Sequence, residues 1–194
     1  MRLLSGIVIL LLVSSCAQTE VEYKKSYFDF DSLVTQQVKT LAKSKWKKVS
    51  TLNNKVDTVF IQPDSLQWSN ELDAFRQLDA INKPVLKDNY TVEEKKDIHS
   101  NLTVRNFKLR VNSNKKLKTP VPFVDFYYFN QPSDLRKIVA VYEESNSLFT
   151  SRRQLSLEFE EGNSKNLIGY KISGFQKMML TDSVLLNIKS ERMN

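Results

Sequence analysis

Residues 149–159 read FTSRRQLSLEF, and residues 168–173 read IGYKIS. In the first stretch Phe149, Leu155, Leu157 and Phe159 share one parity, and Arg152, Gln154, Ser156 and Glu158 take the other. In the second, Ile168, Tyr170 and Ile172 face one way, with Lys171 and Ser173 opposite. Successive side chains on a strand point to opposite faces, so each stretch predicts a strand with one buried and one wet face.

The pattern extends outward. Phe107, Leu109 and Val111 alternate with Lys108 and Arg110, and Ile138, Ala140 and Tyr142 alternate with Lys137, Val139 and Val141. The breaks carry turn chemistry, among them Asp88-Asn89, Asn130-Gln131-Pro132, Glu161-Gly162-Asn163 and Thr181-Asp182-Ser183. From Val85 onward the chain reads as a run of antiparallel strands.

Upstream the period changes. Phe30, Leu33, Val34, Val38, Leu41 and Ala42 fall at helical spacing, with Asp29 or Asp31 as cap, and predict a helix from Asp29 to Ser44. Trp46 to Leu52 and Val56 to Gln62 form a candidate hairpin around Asn53-Asn54-Lys55. A second helix starts at a capping box, Asp64 with Gln67, buries Trp68, Leu72, Phe75 and Leu78, and stops before Pro84. The expected fold class is α+β: two amphipathic helices packed on an antiparallel β-meander. Residues 28–194 form one such domain, with a sub-boundary near Pro84 as the alternative division.

One strand departs from alternation. Phe123-Val124-Asp125-Phe126-Tyr127-Tyr128-Phe129 is apolar or aromatic on both faces. A central strand covered on both sides is the favoured reading, and Asp125 then needs a hydrogen-bond partner. The other reading is a ligand or partner patch made by Phe123, Phe126, Tyr127, Tyr128 and Phe129.

The chain has 194 residues, a net charge of +7, and 26% charged residues with only 4 glycines and 5 prolines, which excludes a disordered or low-complexity chain. So few glycines leave no phosphate-binding loop. One histidine, His99, sits in a polar stretch, and the single cysteine, Cys16, precedes the folded part. No zinc site of the usual ligands can be built, no cofactor is expected, and His99 reads as a surface residue. Glu143-Glu144 and Glu160-Glu161 are adjacent, so on strands their carboxylates point apart. The chain is therefore expected to be non-enzymatic. Lys43, Lys45, Lys47 and Lys48 surround Trp46 and are candidate contacts to an anionic surface, although a solvated basic surface is the plainer reading.

Residues 1–16 read MRLLSGIVILLLVSSC: a basic start, a short apolar run, two serines and the cysteine. The run is too short to cross a bilayer that needs about twenty residues. The stretch resembles a bacterial lipoprotein signal, with Val13-Ser14-Ser15-Cys16 as its lipobox. The resemblance implies a signal peptide over 1–15, lipidation (palmitate and diacylglycerol) at Cys16, and a lipidated tether over 16–27. With Tyr27-Phe28-Asp29, Ile81-Asn82-Lys83-Pro84 and the segment Tyr170 to Lys177, the chain resembles the small uncharacterised lipoproteins of Bacteroidota. That likeness implies a place, the cell envelope at the outer membrane facing the periplasm, and no activity. The expected function is an envelope-anchored binding or scaffold module that meets a membrane through its lipid, and an envelope protein or lipid, but no nucleic acid. The alternative is a lipid or lipoprotein carrier with an apolar cavity between sheet and helices.

Overall fold

The structure, a computed structural model, describes residues 24–110 and 119–193. The signal, Cys16 and the tether up to residue 23 lie outside the described residues.

The stretches 149–159 and 168–173 become two long strands at the centre of one sheet, but Ile168, expected on the buried face, is exposed, because the β7–β8 register shifts at Phe159 and Leu167 takes the buried place. The strands are β1 (Trp46–Leu52), β2 (Lys55–Ile61), β3 (Tyr90–Lys96), β4 (Thr103–Leu109), β5 (Phe123–Tyr128), β6 (Leu135–Ser145), β7 (Phe149–Glu160), β8 (Asn163–Met178) and β9 (Val184–Arg192). They form a nine-stranded sheet in the order β2-β1-β9-β8-β7-β6-β5-β4-β3. Every neighbouring pair is antiparallel. The turns use the residues that tolerate a left-handed backbone: Asn53 (φ 52°), Asp88 (φ 63°), Asn130 (φ 59°) and Gly162 (φ 70°).

One face of the sheet is dry. Leu155, Leu157 and Phe159 on β7, Tyr170 and Ile172 on β8, Ile138 and Ala140 on β6, and Val124 and Phe126 on β5 are buried on it. Against this face lie α1 (Phe30–Leu41), α2 (Ser65–Glu71), α3 (Asp73–Arg76) and the 3-10 turns Gln77–Asn82 and Pro84–Leu86. Asp29 caps α1 by accepting from Ser32 N–H at 2.9 Å. Asp64 and Gln67 form the capping box of α2, at 2.8 and 2.9 Å. Trp46 and Trp68 meet edge to face at 5.0 Å. The Trp68 indole donates to the Leu41 carbonyl at 3.0 Å, which satisfies a C-terminal carbonyl of α1 that the helix itself leaves unpaired.

The fold class differs from the α+β expectation. Half of the structure is strand and about a fifth helical, so the fold is β-rich rather than two amphipathic helices on a meander. The second helix breaks where its apolar spacing changes. Phe75, Leu78 and Ile81 recur every three residues, the period of a 3-10 turn rather than of an α-helix. Leu72 accordingly leaves helical geometry (φ −96°, ψ 2°), and short helical pieces follow the sheet. α1 is also shorter than expected, ending at Leu41 rather than Ser44, because Ala42 swings to an extended ψ of 128° and Lys43 then turns left-handed (φ 68°). The early hairpin pairs with the last strand, Trp46 opposite Arg192 and Leu52 opposite Leu186, so both sides of Pro84 share one sheet and one core.

Candidate functional site

The β5 stretch splits by parity. Val124, Phe126 and Tyr128 point into the core face, and Phe123, Asp125 and Tyr127 point to the opposite face. Phe129 stands in the turn beyond, with the Arg136 guanidinium 5.7 Å from its ring. Asp125 accepts a hydrogen bond from the Asn106 side chain, which supplies the partner that its position requires. The five aromatic residues therefore do not make one patch.

Two of them line a half-open pocket of about 300 Å³ where the helix layer ends. Its apolar wall is Tyr27, Phe28, Phe107, Phe126, Tyr128 and Leu135. Phe28 packs on Phe126 at 4.8 Å, Phe107 on Phe126 at 5.4 Å, and Tyr27 on Phe107 at 5.9 Å. Arg105 and Pro132 complete the rim. The Arg105 guanidinium lies 5.8 Å from the centre of the Tyr128 ring and bonds Glu94 through Nε at 2.9 Å. Burial, then the Glu94 carboxylate, pushes the Tyr128 hydroxyl above its ordinary pKa. Tyr128 and Arg105 in turn hold Glu94 below the usual carboxylate range. A pocket of this size is at the low end of small-molecule sites, which run to roughly 1,000 Å³, and takes one apolar group with a polar end near Arg105.

The segment that closes the pocket is docked rather than loose. Tyr27 N–H donates to Asn82 Oδ1 at 2.9 Å, Asn82 Nδ2 to the Phe28 carbonyl at 2.9 Å, and Lys25 bridges Asp29 and Asp79. These bonds outweigh the burial that works against the lysine's charge and raise the Lys25 pKa. The expected tether over 16–27 is thus, at residues 25–27, part of the fold.

The space between helices and sheet is filled. Phe30, Trp46, Trp68, Leu78 and Leu167 are completely buried there. A partly buried polar cluster joins β1, β8 and α2: Lys48 contacts both Glu71 oxygens at 2.6 and 2.7 Å, and the Tyr170 hydroxyl donates to Glu71 Oε2 at 2.6 Å. Burial, then Glu71, drives the Tyr170 pKa far above its ordinary value, so it stays a donor that ties β8 to α2. Lys48 is thereby taken inward, while Lys47 points to the opposite face, opposite Glu191 and Phe60. Lys43 and Lys45 are exposed just before the start of β1. The four lysines do not share a face. His99 is exposed in the β3–β4 turn, and no metal-holding group of acids, histidine or cysteine occurs among the described residues.

Sequence reasoning missed Ser26, Tyr27, Phe28, Arg105, Phe107, Pro132 and Leu135 as pocket residues. Arg105 has the parity of Phe107 in TVRNFKL, so a cation on an otherwise apolar face was there to be read. Leu135 and Pro132 had no such signal, because only the β5–β6 pairing brings them to Tyr128. No protein-family model, no curated protein and no solved structure matches the chain.

Proposed function

We propose that this protein is a non-catalytic, envelope-anchored binding module that takes an apolar group of an envelope protein or lipid into the aromatic pocket beside Arg105. The observation that carries the reading is that pocket: aromatic walls, a half-open mouth and one cation at the rim. Lipid at Cys16 holds the module to the outer membrane on its periplasmic side. The filled space between sheet and helices favours this reading over a carrier, which would need an apolar cavity there.

The test places a photo-reactive phenylalanine analogue at Pro132, on the rim, and at Thr58, on the far edge of the sheet, in cells that make the full chain. A discrete crosslinked species from position 132 and not from 58 is expected. Identical products at both positions, or none at 132, would overturn the reading. The anchor is tested separately: Cys16→Ala should move the protein from the membrane to the soluble fraction, and retention of the processed variant would refute lipidation.

A further inference from the structure

Three hairpins turn at one end of the sheet. The register puts Leu52 opposite Leu186, Gln176 opposite Val184, Phe149 opposite Met178, and Ser145 opposite Thr150. The β1–β2, β8–β9 and β6–β7 turns therefore lie side by side. Backbone bonds lock them: Asn53 N–H to the Leu185 carbonyl at 2.8 Å, and Met179 N–H to the Leu148 carbonyl at 2.9 Å. Among polar turn residues such as Asn53, Asn146 and Thr181, several large apolar side chains at this end are bare. Leu180 is 91% exposed, Met179 69%, Leu148 66% and Leu185 57%, with Leu52 and Val56 alongside. Lys55 and Lys177 stand next to them, with Asp182 in the β8–β9 turn. A cluster of large apolar side chains held rigid at a loop tip marks a contact surface.

The N-terminal chain enters at the same end. Lys25 lines a surface pocket with Gln77 and Tyr142, and Gln77 accepts from Arg153 at 3.3 Å. Tyr142, Arg153, Gly174, Leu186 and Leu52 are one cross-strand row, only a few residues below the tips. From Cys16 to Lys24 the chain reaches at most about 28 Å. A lipid on Cys16 thus keeps this end of the domain close to the bilayer.

We infer that the three-hairpin tip seats its leucines and methionines in the interface of the bilayer to which Cys16 is anchored. The inference rests on the anchored reading above and adds an orientation. The distal wall of the aromatic pocket, Tyr128 and Leu135, lies at the other end of β5 and β6, about 30 Å along the strands from the tip, while Tyr27 and Phe28, which follow directly on Lys25, form its near wall. The short lysine-rich stretch around Trp46 also lies at that far end, so the apolar tip rather than Lys43 and Lys45 meets the lipid. Exposed apolar side chains beside lysines suit an anionic interface.

The test uses the full mature chain with Leu180→Cys, or with His99→Cys at the opposite end as control, because a lipidated Cys16 has no free thiol. Each is labelled with an environment-sensitive nitrobenzoxadiazole and placed in phosphatidylethanolamine–phosphatidylglycerol vesicles. The expected result is a blue shift and quenching by doxyl-labelled lipid at 180, and quenching by aqueous iodide alone at 99. A lipidated chain whose label at 180 answers only to iodide, or to neither quencher as under a protein partner, overturns the tip assignment and leaves the anchor standing. An intact mass without the lipid overturns both.

Discussion

Gly174 should be the glycine that this sheet cannot lose. It stands opposite Arg153 on β7 and Leu186 on β9. A Cβ built there falls 2.1 Å from the Arg152 carbonyl oxygen, 2.8 Å from Arg153 Cα and 3.0 Å from Arg152 C. All three are backbone atoms, so no side chain can swing aside. Ordinary carbon contacts begin near 3.5 Å, and β8 must retreat by about 1 Å while β9 holds its other edge. Overpacking of this kind costs about 3 kcal/mol, a fall in Tm of roughly 6–12 °C for a chain of this size. Two other glycines calibrate the effect. A Cβ at Gly169 meets the Ser190 carbonyl oxygen at 3.5 Å and Glu158 Oε2 at 3.6 Å, which is ordinary contact. Gly169→Ala should therefore be neutral or raise stability by about 0.5 kcal/mol. Gly162 has open space but a φ of +70°, so Gly162→Ala should lose about 1 kcal/mol. Differential scanning calorimetry of the mature chain and the three variants reads the order. Gly174→Ala melting within 2 °C of the parent, or no lower than Gly169→Ala, would refute the close approach of β7 to β8.

Other perturbations follow from single contacts. Trp68→Ala should lower the free energy of unfolding by about 3–5 kcal/mol in urea titration, and Trp68→Phe, which keeps a ring but drops the bond to Leu41, by about 1–2. Asn82→Ala releases Tyr27 and Phe28, so trypsin should cut after Lys25 several-fold faster with the rest of the chain intact. Stability should fall in alkali. Burial raises the Tyr90 pKa from 10.0 to about 12, so Tyr90 is protonated in both states below pH 10 and only the unfolded chain loses the proton above it. The contribution is therefore complete below pH 10 and is lost toward pH 12, with a slope of about 1.4 kcal/mol per pH unit. Tyr170 adds to that slope, and Tyr90→Phe should remove one share of it in denaturation curves taken between pH 9 and 12.

The pocket and the tip differ in how far they could be read ahead. Alternation put Phe126 and Tyr128 on one face and Tyr127 on the other, which already divides the aromatic stretch that composition alone joins. It parts Lys47 from Lys48 for the same reason. The apolar run Met178-Met179-Leu180 directly before Thr181-Asp182 was a visible oddity, an apolar turn where polar residues are the rule. The break at Leu72 was legible in the change of spacing from four to three residues between Trp68 and Ile81. None of these local signals says that Arg105, Leu135 and Phe28 meet, since they come from β4, β6 and the chain before α1.

By itself the sequence determined what is local: strand parity at 149–159, the capping box of Asp64 and Gln67, and turns at Asn53, Asn130 and Gly162. These depend on residues within a few positions of one another, where side-chain geometry restricts the backbone directly. Only the tertiary structure decided that β1 pairs with β9, that β2 and β3 are the edges, and that three turns with bare apolar side chains and the chain entrance share one end. Strands are joined by backbone N–H and C=O groups, which are the same in every residue. Which distant strand completes an edge is therefore set by how the whole dry face is covered, and not by any one stretch of the chain.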